Sequence, residues 1–289
     1  MNTNMSRLNI AIQKSGRLNE DSIQLLRSCG IVINNGKDQL KASATNFATD
    51  VLYLRNSDIP QYVEDGVADL AIIGENLLEE KGKNIKVVEK LGFSKCRLSL
   101  AIPKDEEFPG LHYFEGKKIA TSYPNSLKNF LNKEKLNAEI HVITGSVEIA
   151  PNIGLADSVC DLVSSGSTLF KNGLKEVHTI LKSEACLVQN PNLSDEKQRL
   201  LDTLLFRLRS VLRAKNSKYV LMNVPNEKIG EVSNILPVLK SPTVMPLAIE
   251  GWSSVHSVIE EDKFWQVIDQ LKDAGAEGIL IIPVEKMVM

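Results

Sequence analysis

Residues 160–169 read CDLVSSGSTL, an apolar segment that runs directly into small hydroxyl residues around one glycine. The apolar part predicts a buried strand, Cys160–Val163, and a helix start after the loop. Gly166 lets the backbone approach a ligand closely, and the neighbouring hydroxyls add hydrogen-bond donors. The stretch therefore predicts either a phosphate-binding turn or an ordinary strand-to-helix turn with a cap. A Walker A loop is excluded, because the GxxxxGK[ST] pattern is absent.

The same alternation of short apolar runs with helical patterns extends through the chain before residue 190. It predicts an α/β fold with mostly parallel sheets. The other predicted strands are Leu8–Ile12, Asp50–Arg55, Ala68–Ile73, Arg97–Ile102, Lys118–Thr121 and Glu139–Ile143. The predicted helices are Asn19–Cys29, with Asn19 as N-cap, then Asp58–Gly66, and one that opens at Tyr123–Pro124 and runs to Lys133.

Residues 218–284 follow a different order, β-α-β-β-α-β, which is the split pattern of ferredoxin-like domains. A long amphipathic helix, Ser194–Arg213, is predicted to join this part to the rest of the chain. The predicted strands are Lys218–Val224, Thr243–Ile249, Ser254–Ile259 and Gly278–Val284, and the helices are Glu227–Leu236 and Glu261–Ala274.

Composition narrows the class of protein. Apolar residues make up 43% of the 289 residues and charged residues 24%, as in ordinary globular proteins, and the net charge of −2 argues against a nucleic-acid binder. The N-terminus has no apolar signal-peptide core, and no stretch approaches the roughly 18 apolar residues of a membrane-spanning helix. We therefore expect a cytoplasmic protein. The four cysteines are far apart, which predicts buried thiols and neither a zinc site nor a disulfide framework.

Carboxylates lie close to the small-residue loop. Asp157 and Asp161 stand four residues apart just before it, and a carboxylate beside a phosphate site can accept hydrogen bonds from sugar hydroxyls. Either could equally be a surface acid or a cap. Glu148, in the stretch GSVE at 145–148, could hold a ribose or a metal, or could be a first-turn acid favoured by a helix dipole.

Basic residues follow the first predicted strand. Residues 13–18 read QKSGRL and hold Lys14 and Arg17 on either side of a glycine. Together with Arg97 these cations could neutralise a polyphosphate, although each taken alone could be a solvated surface charge. The four histidines are scattered without ligand spacing, so none is assigned a catalytic role.

Taken together, these segments resemble the ATP phosphoribosyltransferases of the long form over the whole chain. The stretches that carry the resemblance are IQKSGRL at 12–18, DLAIIGEN at 69–76, CRLSL at 96–100, IATSYP at 119–124, GSVE at 145–148, DLVSSGSTL at 161–169 and PVEKM at 283–287.

The resemblance implies a bilobal catalytic core similar to periplasmic binding proteins, followed by a ferredoxin-like regulatory domain. Lobe I would comprise residues 1–93 and 184–215, lobe II residues 94–183, and the regulatory domain residues 216–289. The chain would cross between the lobes near residues 92–95 and return near residue 183, with the active site in the cleft.

The resemblance also implies an activity. Such an enzyme transfers the phosphoribosyl group of phosphoribosyl pyrophosphate to N1 of ATP with Mg²⁺, as the first step of histidine biosynthesis. Histidine would inhibit it by binding the C-terminal domain, so no separate regulatory subunit is expected. The family is typically dimeric or hexameric.

Residue roles follow from the same resemblance. The loop Ser164, Ser165, Gly166, Ser167 and Thr168 would bind the 5′-phosphate, and Asp161 would contact the ribose hydroxyls. Matching positions make Lys14, Arg17, Arg97 and Glu148 catalytic candidates, and put Asp69 and Glu75 near the nucleotide. Candidates for the histidine site are Asn223, Leu239 and Thr243, with Asn223 at a position where relatives vary. No magnesium ligands are assigned.

Two other classes of protein remain open at this point. One is a ligand-binding protein with a bilobal cleft and no chemistry, and the other is a regulatory subunit that binds histidine but has lost catalysis. The intact 161–168 segment, together with Lys14 and Arg17, favours the enzyme.

Overall fold

The computed structural model describes residues 6–34, 39–236 and 241–288. The chain divides into two compact units, and each is described by itself. Unit 1 comprises Met1–Arg27 and Ile31–Leu201, and unit 2 comprises Ser28–Gly30 and Asp202–Met289.

Unit 1 holds two sheets, which define its two lobes. In lobe I the sheet order is β2-β3-β1-β4-β11-β5. Its strands are β1 (Leu8–Gln13), β2 (Lys41–Ser43), β3 (Thr49–Leu54), β4 (Leu70–Gly74), β5 (Lys86–Lys90) and β11 (Ala185–Gln189). β4 lies near the middle with four consecutive buried residues, the continuous apolar run that is typical of a strand covered on both faces.

Lobe II has the sheet order β10-β6-β9-β7-β8. Its strands are β6 (Cys96–Pro103), β7 (Lys118–Thr121), β8 (Glu139–Val142), β9 (Ser158–Val163) and β10 (Leu174–Ser183). One side of this sheet packs on an apolar cluster that includes Phe114 and Phe130. A second cluster, which includes Val147 and Leu169, packs close to the loop that follows β9.

The expectation of mostly parallel sheets is wrong, because both sheets are mixed. β1 pairs in parallel with β3 and β4, and β7 pairs in parallel with β8 and β9. The strands at the crossings run the other way. The chain re-enters lobe I at Ala185, which pairs with Gly74 at the end of β4, so β11 must run back antiparallel to β4.

The helices of unit 1 are α1 (Arg17–Ser28), α2 (Ile59–Glu64), α3 (Glu75–Lys81), α4 (Pro124–Glu134) and α5 (Ser167–Lys171). α1 begins two residues before the expected start, so Asn19 is not its N-cap. The Asn19 side chain instead donates to the Gln13 carbonyl at 2.7 Å, and Gly16, with φ of +89°, makes the turn into the helix.

Unit 2 contains the ferredoxin-like arrangement, with sheet order β13-β14-β12-β15 and antiparallel pairing throughout. Its strands are β12 (Ser217–Pro225), β13 (Thr243–Pro246), β14 (Trp252–Glu260) and β15 (Glu277–Pro283), and its helices are α7 (Ile229–Ile235) and α8 (Glu261–Asp273). Met222, Val255, Phe264 and Leu271 are among the buried residues of its core. β13 is shorter than the expected Thr243–Ile249: it ends at Pro246, although the Leu247 N–H still donates to the Trp252 carbonyl at 3.0 Å.

The connecting helix, α6 (Asp195–Lys215), contains the boundary between the units, which falls between Leu201 and Asp202. The sequence-based boundary at 215/216 lies later. The second half of α6 belongs with unit 2, where Met287 N–H donates to the Ser210 carbonyl at 3.0 Å.

Candidate active site

The parallel strands of lobe I bring cations together at their carboxyl ends. Lys14 follows β1 directly, and its N–H donates to the Leu54 carbonyl at the end of β3 at 2.8 Å. Arg17 is the first residue of α1, one position after the left-handed Gly16. Both side chains are exposed. The carboxyl ends of these strands therefore offer positive charge to a ligand.

Arg55 is an exposed cation at the same strand ends that the sequence analysis missed. It follows β3 as Lys14 follows β1, and Gln13 pairs with Leu54 in the parallel register. The available signal was a basic residue at the end of the predicted strand Asp50–Arg55.

The small-residue loop of lobe II has the expected position between a strand and a helix. It connects β9 to α5, and Gly166 has a φ of +80°, a conformation in which other residues are strained. The Ser165 and Ser167 hydroxyl oxygens lie 3.0 Å apart, and the four hydroxyl residues of the loop are exposed. Backbone and hydroxyl donors are thus presented together at one turn.

Asp161 and Glu148 lie near each other beside this loop. The pKa of Asp161 is raised to about 6, chiefly by burial and also by the negative charge of Glu148, while a hydrogen bond from the Leu162 N–H lowers it. Glu148 stands in the one-turn helix Val147–Ile149, which follows Ser146 with a left-handed φ of +49°. Asp161 is consequently a carboxyl group that exchanges its proton not far from neutral pH.

Asp157, the other acid weighed from the sequence, has a structural role. Its carboxylate accepts a hydrogen bond from the Lys118 N–H at 2.7 Å. It therefore stabilises the start of β7 at the opposite end of that strand from the loop.

Arg97 differs from the cations of lobe I, because its guanidinium is already engaged. Its Nε and Nη2 donate to the two carboxylate oxygens of Glu176, and its Nη1 donates to the Ser164 carbonyl at 3.1 Å. The hydrogen bonds with Arg97 lower the pKa of Glu176, and those with Glu176 raise the pKa of Arg97. Arg97 thus holds the first residue of the loop.

Asp69 and Glu75 lie at opposite ends of β4. Asp69, which is buried, accepts a bond from the Asn9 N–H at 2.8 Å and forms an ion pair with Lys197 at 2.7 Å. The structure does not bring it to the other candidates, which cluster where the strands end. Glu75 begins α3 at the cleft edge and pairs with Lys90 at 2.8 Å.

A cleft of about 390 Å³ lies where the chain passes between the lobes. It is lined by Glu75 of lobe I and by Arg97 and Ser164 of lobe II. Its remaining lining residues are Lys90, Lys95, Cys96, Lys182, Ser183 and Glu184. The three lysines were missed by the sequence analysis, because nothing in their neighbourhood marks them.

The candidate histidine-site residues of unit 2 are only partly described. Asn223 lies on β12, Thr243 opens β13, and Leu239 lies outside the described residues. Thr243 pairs with His256 across the sheet. The His256 Nδ1 lies 2.9 Å from the Tyr219 hydroxyl, and its buried Nε2 has no hydrogen-bond partner among the described residues.

Other expectations concern absences. Within residues 6–34, 39–236 and 241–288, no three His, Cys, Asp or Glu side chains form a metal-binding group. The four cysteines are free thiols, three of them buried. None of the described helices has the length and apolar character needed to cross a membrane.

Comparison with known proteins identifies relatives across the whole chain. The family model described as "HisG: ATP phosphoribosyltransferase" matches residues 55–210, and "HisG, C-terminal domain" matches residues 214–286. The ATP phosphoribosyltransferase of Bacteroides thetaiotaomicron is 57% identical over 282 residues, covering 98% of this chain and 100% of its own. That of Cytophaga hutchinsonii is 55% identical over 281 residues, covering 97% and 98%.

Solved structures agree with the bilobal architecture. The ATP phosphoribosyl transferase (HisG:HisZ) complex from Thermotoga maritima includes a chain with a TM-score of 0.63 and 28% identity, and the match covers 71% of this chain and 98% of that one. A substrate-binding protein of an amino acid ABC transporter has a TM-score of 0.50 at 10% identity, covering 72% and 94%. The second likeness concerns the fold alone. The expected α/β fold, with a bilobal core and a separate C-terminal sheet domain, is confirmed.

Proposed function

The chain belongs to the ATP phosphoribosyltransferase family, enzymes of the first step of histidine biosynthesis, and we propose that its cleft transfers the phosphoribosyl group of phosphoribosyl pyrophosphate to N1 of ATP. Pyrophosphate leaves from the sugar carbon as the bond to nitrogen forms. The observation that carries the proposal is the exposed Ser164–Thr168 loop of lobe II, which follows the strand that holds Asp161. We assign the exposed cations of lobe I, Lys14 and Arg17, to the same substrates.

In the proposed reaction the loop holds the 5′-phosphate of the sugar. The left-handed Gly166 leaves room for a phosphate oxygen near the backbone, and the exposed hydroxyls of Ser165, Ser167 and Thr168 can donate to it. Arg97, through its bond to the Ser164 carbonyl, keeps the loop in place. Holding the phosphate in this way fixes the position of the sugar carbon that reacts.

Asp161 is assigned to the ribose hydroxyls. A carboxylate accepts hydrogen bonds from two neighbouring hydroxyls, and as an anion it also favours positive charge on the sugar ring as the leaving group departs. Its pKa of about 6 leaves it mostly ionised at pH 7 and above. The nucleophile, N1 of adenine, has a lone pair and no proton, so no strong base has to act before attack.

The reaction also requires that the negative charge on the departing pyrophosphate be neutralised. Lys14 and Arg17 are exposed, and we assign them to pyrophosphate or triphosphate oxygens. Magnesium fits the same site. Its ligands would come chiefly from the substrate phosphates, and Asp161 and Glu148 are the oxygen donors available beside the loop. The ion would supply neutralisation of the leaving group.

Regulation by histidine is assigned to unit 2. This unit has the ferredoxin-like sheet and matches the C-terminal domain model of the family. Asn223 and Thr243 remain the effector candidates among the described residues. The Thermotoga maritima structure is of a two-protein complex, and its matched chain aligns with only 71% of this one. Because the present chain has its own C-terminal domain, we propose that it acts without a separate regulatory subunit, as a dimer or hexamer.

The test is formation of phosphoribosyl-ATP, followed by its ultraviolet absorbance. Purified protein is mixed with ATP, phosphoribosyl pyrophosphate, Mg²⁺ and a pyrophosphatase, with and without histidine. Product that appears without histidine and is suppressed by it is the expected result. Folded protein that binds histidine but forms no product would point to a regulatory subunit, and binding of substrates without product or histidine inhibition would point to a ligand-binding protein.

A further inference from the structure

Glu80, near the end of α3 in lobe I, makes an unusual set of contacts with lobe II. Its side chain is buried, with 7% of the residue exposed. Oε1 accepts a hydrogen bond from the Asn125 N–H at 3.1 Å, and Oε2 accepts from the Ser126 N–H and the Ser126 hydroxyl, both at 2.9 Å. The Asn125 side-chain amide returns a bond to the Glu80 carbonyl at 2.9 Å.

These bonds satisfy the first turn of α4 from another lobe. N–H groups in the first turn of a helix have no partner within the helix, and they are normally capped by a nearby side chain. α4 begins at Pro124, and its preceding residue, Tyr123, makes no side-chain cap. Glu80 supplies the missing acceptors, so α4 is capped only while the two lobes keep this arrangement.

A second contact of α3 reinforces the first. Asn76 is buried, its N–H donates to the Ser183 hydroxyl at 3.0 Å, and that hydroxyl donates back to Asn76 Oδ1 at 2.9 Å. Ser183 ends β10, where the chain returns to lobe I. One helix therefore binds both the start of α4 and the returning strand of lobe II.

The capped turn is connected to the site. Tyr123 immediately precedes α4, and its N–H donates at 2.9 Å to the Thr121 hydroxyl, which in turn donates at 2.7 Å to the Cys160 carbonyl, next to Asp161. Burial together with the nearby charge of Asp161 raises the pKa of the Tyr123 hydroxyl. A shift of α4 would therefore be transmitted to β9 beside Asp161.

We propose that Glu80 is a positioning residue that holds the two lobes at the separation at which Asp161 and the Ser164–Thr168 loop act with Lys14 and Arg17. It touches neither substrate. The inference rests on the proposed function, since it assumes that the substrates occupy both walls of the cleft.

The consequence is a specific kinetic signature. Without the Glu80 bonds, only a fraction of molecules has the lobes correctly placed, and the apparent affinity for each substrate falls by that fraction. Saturating substrates restore the arrangement. Glu80→Gln should thus raise the KM for both ATP and phosphoribosyl pyrophosphate about tenfold and change kcat by less than about threefold.

The experiment compares Glu80→Gln with Glu79→Gln, a neighbouring exposed acid on the same helix. Glu79→Gln should keep both KM values. Ser126→Ala, which removes one of the three donors, should raise the KM values about two- to threefold, and it should add little in the Glu80→Gln background. Thermal unfolding is measured for each variant, so that assays run on folded protein.

Ser126→Ala also keeps the test decisive should Glu80→Gln fail to fold. Unchanged KM values in a folded Glu80→Gln variant, or in Ser126→Ala when Glu80→Gln cannot be studied, would overturn the positioning role. Wild-type turnover in the same assay separates this outcome from failure of the proposed function.

Discussion

The two lobes present different chemistry at the carboxyl ends of their strands. Lobe I offers exposed cations, Lys14 and Arg17, at the ends of its parallel strands. Lobe II offers hydroxyls around Gly166 and a half-buried carboxyl group, Asp161, and the cation beside its loop, Arg97, is bound to Glu176. Of the basic residues assigned to phosphate from the sequence, the two in lobe I are exposed to a ligand, and the one in lobe II holds a loop.

This difference is not visible in the sequence motifs. Arg17 and Arg97 both follow or begin an apolar run, and both were assigned to phosphate. What separates them is a partner 79 positions away from Arg97, brought close by the antiparallel pairing of β6 and β10. The loop of lobe II and the cations of lobe I can therefore be tested by separate substitutions.

The largest effect on turnover is expected from a substitution in the small-residue loop of lobe II. Gly166→Asp introduces a side chain at a φ of +80° and places a carboxylate where the phosphate is proposed to bind. We expect turnover to fall by more than about a thousandfold, since a lost oxyanion site alone costs about two to three orders of magnitude. Initial rates measure the loss, and calorimetry should find histidine binding unchanged.

Gly154→Asp is the matched control for this change. Gly154 is exposed, has a φ of +71°, and lies before β9 with no atom close to an added Cβ. It shares the backbone strain and the added charge but not the loop. Normal turnover in Gly166→Asp would show that the Ser164–Thr168 loop does not bind the phosphate.

The charge of lobe I should have the next largest effect. Lys14→Ala and Arg17→Ala should each lower kcat/KM about a hundredfold, because each removes a cation from the departing pyrophosphate. Steady-state kinetics at saturating Mg²⁺ measures the change. Lys128→Ala, at an exposed position of α4, serves as the control and should leave kcat/KM unaltered. Full activity in both lobe I variants would mean that these cations are solvated surface charges.

Loss of the ion pair between Arg97 and Glu176 in lobe II should lower kcat/KM by less, and this variant tests the role of Arg97. Glu176→Gln removes the carboxylate that holds Arg97, which loosens the bond to the Ser164 carbonyl. We expect kcat/KM to fall about tenfold, mainly through the KM for phosphoribosyl pyrophosphate. Glu134→Gln, an exposed acid of α4, is the control. An unchanged kcat/KM in Glu176→Gln would show that the ion pair is not needed to hold the loop, and a higher kcat/KM would show that Arg97 acts better when free, as a group that faces phosphate.

Local signals in the sequence predicted much of this architecture. The apolar run expected at Ala68–Ile73 is β4, and the small-residue loop after Cys160–Val163 lies between a strand and a helix. The β-α-β-β-α-β order of unit 2 is confirmed as well. In each case, the pattern arises within a few neighbouring residues.

What the sequence did not predict depends on distant partners. β10 was missed, because its pairing with β6 contains two register irregularities that break the apolar alternation, and β5 was missed, because it is a half-exposed edge strand. The bond between Glu80 and Asn125 joins residues 45 positions apart. Local periodicity carries no information on such contacts.

The smallest expected effect concerns stability and tests whether Asp161 is held in an unfavourable environment. Its pKa of about 6 in the folded protein lies above the ordinary value of 3.8. The ionised form therefore destabilises the folded state at pH values above both, and this cost disappears as the pH falls through 6 toward 4. Asp161→Asn has no charge to bury. It should unfold with a free energy higher by on the order of 1 kcal/mol at pH 8, with the difference vanishing near pH 4.

Urea denaturation at pH 8 and pH 4 measures this difference, and Asp157→Asn is the matched comparison. Asp157 accepts a bond from the Lys118 N–H, so its loss should lower stability. A gain in stability at Asp161 that accompanies a loss of turnover is the pattern expected of a residue kept for function at the expense of folding. Equal or lower stability of Asp161→Asn at pH 8 would mean that the carboxylate is well solvated, and the contrast drawn between the two lobes would then rest on the loop and on Arg97 alone.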